Sequence, residues 1–203
     1  GTSGGTIDLH VSTTGGTFLI SSGATLDANG GSAGSVNGSG AWGTSAAGGT
    51  AAISFTGSGT LSLDSDVYIN AYGTTGGNFS ISADAGLQLV SGGGTPALYT
   101  SLGGNTPMLM AGTDLAIGDI AIYNQSGNLG LRANNDISLS SGALIDIGGN
   151  FDARAGRSIS VAGTVKTNGG DALIVANDTA ANGVVTANRA DGAATIAIGG
   201  LID

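Results

Sequence analysis

Two adjoining stretches, 127-GNLGLRANNDISLSSGALIDIGG-149 and 149-GNFDARAGRSISVAGTVKTNGG-170, decide the fold. Laid one above the other, they set Leu129 over Phe151, Leu131 over Ala153, Ala133 over Ala155, Ile137 over Ile159 and Leu139 over Val161. The offset from 129 to 151 is kept in every pair. One step upstream, Leu109, Ala111, Asp114, Leu115 and Ile117 meet Leu131, Ala133, Asp136, Ile137 and Leu139. One step downstream the same offset predicts Leu173 over Phe151 and Val175 over Ala153. Self-similarity at a fixed period of this size marks a solenoid or array.

Within each unit apolar residues alternate with small or polar ones, as in 79-FSISA-83, 87-LQL-89, 115-LAI-117 and 137-ISL-139. Alternation at period 2 over short runs is a strand signal. Gly, Asn and Asp punctuate the runs at 76-GGN-78, 134-NND-136, 148-GGN-150 and 168-NGGD-171, which is turn chemistry. Three short strands and three turns in about 20–22 residues describe one coil of a parallel β-solenoid, an all-β fold. Stacked coils bury a continuous apolar column at about 4.8 Å per coil, and nine such coils make a rod of roughly 45 Å. An antiparallel sandwich also has short recurring strands, but it does not explain columns of Leu, Ala and Ile at a constant step.

Upstream the spacing changes. The step that carries Ile81, Ala83, Leu87 and Leu89 onto Leu109, Ala111, Leu115 and Ile117 is longer. The step that carries Leu61, Leu63, Val67 and Ile69 onto Ile81, Ala83, Leu87 and Leu89 is shorter. The longer step places an extra loop in residues 92–107, which hold both prolines. Residues 1–50 contain similar pieces, 6-TIDLHV-11, 17-TFLI-20 and 24-ATLDAN-29, whose register the spacing does not set. Residues 1–203 read as one domain, a piece of a longer repetitive chain.

Composition narrows the function. The chain has 203 residues, 40 glycines, 2 prolines, 14 Asp and no Glu or Cys. Missing cysteines exclude a disulfide scaffold and thiolate metal sites. Five basic residues against 14 acidic ones, a net charge of -9, argue against nucleic-acid binding, which rests on Lys and Arg at phosphates. A mean hydropathy of +0.27 with 40% apolar residues separates the chain from disordered Gly-rich segments. No apolar run approaches the ~18 residues of a membrane span, so no membrane insertion is expected. The cations Arg132, Arg154, Arg157, Lys166 and Arg189 all lie beyond position 131, so the start of the chain offers no basic signal region.

The units GNLGLRANNDISLSSGALIDIGG and GGNFDARAGRSISVAGTVKTNGGDALIVAND resemble the coils of filamentous-haemagglutinin-type large exoproteins, which are two-partner-secreted bacterial adhesins. The resemblance covers about residues 60–200 and rests on pattern and composition. It implies a right-handed parallel β-helix, a location outside the cell or on the bacterial surface, and passage through an outer-membrane transporter. It further implies cell adhesion, with a surface glycan or protein of a host or bacterial cell as partner. It implies no cofactor, no metal and no catalytic residue.

Several constellations invite chemistry. The stretch 38-GSGAWG-43 satisfies the dinucleotide pattern G-x-G-x-x-G, yet no helical periodicity follows it. The shorter step makes Asp64 and Asp84 neighbours on adjacent coils, and Asp114 shares a column with Asp136. Paired carboxylates serve as acid and base or hold a cation such as Ca²⁺. Against this, Asp114 and Asp136 precede strands at turn positions, where Asp bonds its own backbone. No cation precedes Arg132 to meet a uronate substrate, and His10, the only histidine, lies outside the register. Tyr68, Tyr72, Tyr99, Tyr123 and Trp42 are candidates for stacking on sugars, with Tyr99 favoured by its place in the expected loop. Asn37, Asn78, Asn124 and Asn177 begin glycosylation sequons. A structural and adhesive rod is the leading expectation. A polysaccharide lyase or hydrolase on the same fold is the alternative, and a purely mechanical spacer is the third reading.

Overall fold

The computed structural model describes residues 4–21, 23–28, 49–64, 67–71, 77–89, 97–100, 106–124, 127–178 and 189–203. Its strands, numbered along the chain, form three seven-stranded sheets in which every pairing is parallel. Sheet A holds β1 (Thr6–Thr13), β4 (Thr50–Gly57), β7 (Asn78–Ala83), β10 (Met108–Ala111), β13 (Leu129–Ala133), β16 (Phe151–Ala155) and β19 (Ala172–Val175). Sheet B holds β2 (Thr17–Ile20), β5 (Thr60–Leu63), β8 (Gly86–Leu89), β11 (Leu115–Ile117), β14 (Ile137–Leu139), β17 (Ile159–Val161) and β20 (Ile196–Ile198). Sheet C holds β3 (Thr25–Asp27), β6 (Tyr68–Ala71), β9 (Ala97–Thr100), β12 (Ala121–Asn124), β15 (Leu144–Ile147), β18 (Thr164–Lys166) and β21 (Leu201–Ile202). The chain visits A, B and C in turn, and each third strand lands on the one three before it. This is a parallel β-helix of three short strands per coil.

The central register is the one the repeat predicts. Leu109, Leu131 and Ala153 stack in one column, and Leu115, Ile137 and Ile159 in another. The longer step holds too, with Ile81 beside Leu109 and Leu87 beside Leu115. All of these are buried in a single apolar core that runs the length of the sheets. Its widest fillers are Phe55, Phe79 and Phe151, one each from three strands of sheet A. Successive strand side chains point to opposite faces, so the residues that alternate with these fillers face outward, such as Ser54 on β4, Ser80 on β7 and Asp152 on β16.

The expected spacing is corrected in several places. Among the described residues each sheet stacks seven strands, against the nine coils expected, and six rises of about 4.8 Å span roughly 29 Å. The constant step holds only between β10, β13 and β16 in sheet A and between β11, β14 and β17 in sheet B. The first coil is far longer, running from His10 to Ser54 in sheet A, and so is the one from Ile159 to Ile196 in sheet B. The shorter step from Leu61 to Ile81 fails as well. Leu61 and Leu63 pair with Leu87 and Leu89 in sheet B, while Ile53 and Phe55 pair with Ile81 and Ala83 in sheet A. Alternation looks the same in every sheet, so it allowed a strand of one sheet to be aligned with a strand of another.

Downstream, Phe151 meets Ala172 rather than Leu173. A one-residue slip turns every side chain to the other face, so Leu173 lies opposite Asp152 and is 45% exposed. Within residues 92–107, where the extra loop is expected, the described residues Ala97–Thr100 form β9, which pairs with β6 and β12.

Glycine is needed where turns close on the coil below. Gly57, at the end of β4, has φ +124°, and a Cβ there would fall on the Thr13 carbonyl oxygen. Only glycine fits both the conformation and the contact. Asn168 and Asn177 take the left-handed conformation in other turns, the role in which Asn substitutes for Gly.

Side-chain direction yields a test. Ile137 is 1% exposed in the core, and its neighbour Ser138 faces solvent. Ile137→Asp places an unpaired charge in the apolar column and should cost about 4 kcal/mol or more. Ser138→Asp should stay within about 0.5 kcal/mol. Denaturant titration of both variants measures the difference.

Candidate functional site

The corner between sheets A and B carries the most regular polar structure. Asp136 N–H donates to Asp114 Oδ1 (3.1 Å), Ser158 N–H to Asp136 Oδ1 (3.0 Å) and Thr195 N–H to Ser158 Oγ (3.1 Å). In the opposite direction Leu115, Ile137 and Ile159 N–H groups donate to the carbonyls of Asp136, Ser158 and Thr195. At these three levels a side-chain oxygen of one coil accepts a turn N–H of the next and gives that backbone donor a partner. The Asp114–Asp136 column is backbone bonding, the structural role that turn chemistry suggests for Asp. Asn135 Nδ2 also donates to Asp114 Oδ1 at 2.6 Å.

Arg157 completes this corner. Its Nε donates to Asp136 Oδ1 at 2.8 Å, Nη2 contacts Asp136 Oδ2, and Nη1 reaches the Asp191 carbonyl at 3.3 Å. The Arg157 hydrogen bond holds the Asp136 carboxyl below its ordinary pKa against the opposing effect of burial, and the bond to Ser158 N–H adds to it. The same pairing raises the Arg157 guanidinium.

A second charged cluster lies on the outer face of sheet A. Arg132 Nη1 donates to the carbonyls of Leu131 and Asp152, and its Nη2 lies 2.9 Å from Asp152 Oδ2. Arg154 sits one coil above Arg132, with Nε 2.9 Å from Asp152 Oδ1 and Nη1 3.2 Å from Asp178 Oδ2. Burial lowers the Arg154 pKa, but its bonds to Asp178 and Asp152 outweigh burial and raise it. Arg189 contacts Asn177 Oδ1. These arginines tie one coil to another, so the charge asymmetry of the sequence is a structural one.

A third column runs along the corner between sheets C and A. Asn150 N–H donates to Asn128 Oδ1 (2.8 Å), Asp171 N–H to Asn150 Oδ1 (2.9 Å), and Asn128 Nδ2 to Thr106 Oγ1 (3.3 Å). These residues edge an open groove of about 330 Å³ that also touches Asp152 and Leu173. A second open groove, about 240 Å³, crosses the outer face of sheet B over Gln88, Ala116 and Ser138.

Asp64 and Asp84 do not meet. Asp64 follows β5, and its N–H donates to the Ile20 carbonyl. Asp84 follows β7 at a different corner, where its Oδ2 accepts from Gly57 N–H at 3.2 Å. Their apparent column came from the misaligned shorter step. Among the described residues no three His, Cys, Asp or Glu side chains gather as a metal site.

His10 has a setting that the sequence did not reveal. Ser54 Oγ contacts His10 Nδ1, and His10 Nε2 lies 3.0 Å from Asp8 Oδ1. Asp8 and His10 share the outer face of β1, and His10 pairs with Ser54 across the long first coil. Alternation alone put Asp8 and His10 on one face, but the partner strand was out of reach of the repeat. Ser, His and carboxylate in series are the elements of nucleophilic catalysis. Such chemistry also needs oxyanion donors and exclusion of water. Here the His10 and Asp8 side chains are 71% and 53% exposed, and β4 spends its N–H groups on the ladders to β1 and β7. The arrangement clips two strands together.

Tyr99 and Tyr123 are paired strand positions in sheet C, and Tyr68 belongs to the same sheet. Tyr72, Trp42, Asn37 and the 38–43 motif lie outside the described residues. Asn124 is 1% exposed and its Nδ2 donates to the Asn128 carbonyl, so it is inaccessible to glycosylation; Asn78 begins β7 and Asn177 accepts from Arg189. No family model, curated protein or solved structure matches this chain.

The Asp136 pairing carries a pH dependence of definite sign. Its folded pKa is lowered, so its contribution is complete above the unfolded value of about 3.9 and is lost as pH falls through the folded value. Asp136→Asn should lower Tm at pH 7 by about 3 °C, the loss of a charge-assisted bond. The difference between the two proteins should shrink as pH falls below about 3.9 and Asp136 takes up its proton, as thermal melts across the acid range will show.

Proposed function

We propose that the chain is a structural and adhesive rod of a bacterial exoprotein, exported through an outer-membrane transporter and displayed at or released from the cell surface. The observation that supports this reading best is the stack itself. Among the described residues seven stacked levels of strand line one core, and side-chain ladders at two corners tie coil to coil. Such a rod presents rows of residues at fixed spacing on its outer faces. The rows carry hydroxyls, amides and carboxylates: Gln88, Ser138 and Ser160 on sheet B, and Thr106, Asn128, Asn150 and Asp171 at the C–A corner. Both grooves are open, a shape that suits an extended polyhydroxylated chain better than a small molecule held on all sides. A surface glycan is therefore the ligand class. The resemblance of the coils to filamentous-haemagglutinin-type exoproteins supports the same reading, and the absence of cysteine suits a chain exported in extended form.

Polysaccharide cleavage on the same fold is the alternative, and one experiment separates the readings. The protein is applied to a glycan array and incubated in parallel with pectin-like and uronate polymers. Binding without release of shortened products is expected. Product release would replace the adhesive reading with the enzymatic one, and absence of both binding and cleavage would leave a mechanical spacer.

A further inference from the structure

We infer that a notch over Gly112, at the corner between sheets A and B, takes a protonated amino sugar, with the Asp84 carboxylate receiving the ammonium group. The inference rests on the glycan reading above and names the class of sugar. Asp84, Gly112 and Asn134 follow β7, β10 and β13 on three successive coils. Gly112 N–H donates to the Ala83 carbonyl, and Asn134 N–H to the Ala111 carbonyl. The middle residue has no side chain, so a notch of about 280 Å³ opens there, edged by Ser82, Asp84, Met110 and Asn134. The notch is permanent. A Cβ on Gly112 would fall on the Asp84 carbonyl oxygen, so the stacked backbone admits no side chain at this position. It lies in the middle of the rod, on β7, β10 and β13, with β4 below and β16 above.

Charge selects the ligand. Residues 1–131 hold no Lys or Arg, and among the described residues Asp84 makes no ion pair. Its Oδ2 accepts from Gly57 N–H at 3.2 Å, and the side chain is exposed. Arg132 pairs with Met110 in the register, but its guanidinium turns to Asp152 on the coil above. Asp152, in the C–A groove, differs from Asp84 in being shared by Arg132 and Arg154. Lys and Arg line neither this notch nor the two open grooves described above. A uronate or sulfated chain would find no cation at these places. A protonated amine finds a carboxylate that no cation of the protein neutralises, and a charge-assisted hydrogen bond is the strong kind.

The other walls suit a sugar. Ser82 offers a hydroxyl, and the Met110 thioether an adaptable apolar surface for the C–H face of a ring. Asn134 is 8% exposed, so its amide is held by packing. A few fixed polar groups around an apolar wall are what orient a bound small ring.

The test is a titration of isotope-labelled protein with a soluble glucosamine oligomer, read by amide NMR shifts and calorimetry. Its N-acetylated counterpart and an oligogalacturonate are run beside it. The glucosamine oligomer should bind tightest, weaken as salt rises, and shift the amides of Ser82, Asp84, Gly112 and Asn134. Asp84→Asn keeps an oxygen for the Gly57 N–H. It should weaken binding of the glucosamine oligomer about tenfold, the size of a charge-assisted hydrogen bond, and leave the N-acetylated oligomer unchanged. Ser82→Tyr fills the notch from an outward strand position and should remove the shifts at this corner. Circular dichroism reports whether both variants fold. Equal affinity for the three oligomers, shifts confined to other faces, or a folded Asp84→Asn that binds like the wild type would each overturn the inference, and glycan binding elsewhere would leave the adhesive reading standing. Failure of the glucosamine oligomer to bind overturns the inference as well, and the glycan array then decides the adhesive reading separately.

Discussion

No coil of this protein is able to bury its own apolar face, and everything else in the structure depends on that. A coil offers three short strands whose inward side chains meet at the centre of a narrow section. Only the coils above and below remove the remaining surface from water. Stability is therefore close to a sum over neighbouring contacts. The value of Ile137 lies in the Leu115 and Ile159 on either side of it.

Stacking also dictates the polar chemistry. A turn that recurs at every level brings the same N–H against the same neighbour, so a single residue type placed correctly solves the problem repeatedly. Asp114, Asp136 and Ser158 do this at one corner, and Asn128 and Asn150 at another. Carboxylates that look paired for catalysis in the sequence are spaced by the coil step for this reason. The arginines follow the same logic. Arg132, Arg154 and Arg157 each reach an Asp at another level or on the adjacent strand, which converts excess negative charge into contacts between coils.

The proposed glycan binding belongs to the outer faces and their open grooves rather than to an enclosed pocket. The outer row of sheet B, with Gln88, Ser138 and Ser160, lies away from the core, which suits the proposed recognition of an extended partner.

The parallel solenoid was legible in the sequence because the columns of Leu, Ala and Ile recur at a constant step between positions 109 and 161, and alternation assigns inside and outside along each run. The number of coils, the pairing of β5 with β8 and the outward position of Leu173 were not legible. All strands share one alternation, so periodicity gives no label for which sheet a strand joins, and turn lengths between them vary. The Asp64–Asp84 pair failed for this reason, and the Asp8–His10–Ser54 contact was hidden because the long first coil separates its members. What the sequence by itself determined is local: which side chains face inward and which turns need glycine, asparagine or aspartate. Register between coils, and with it every contact that a functional site is made from, was decided only by the tertiary structure, because packing selects among registers that alternation leaves equivalent.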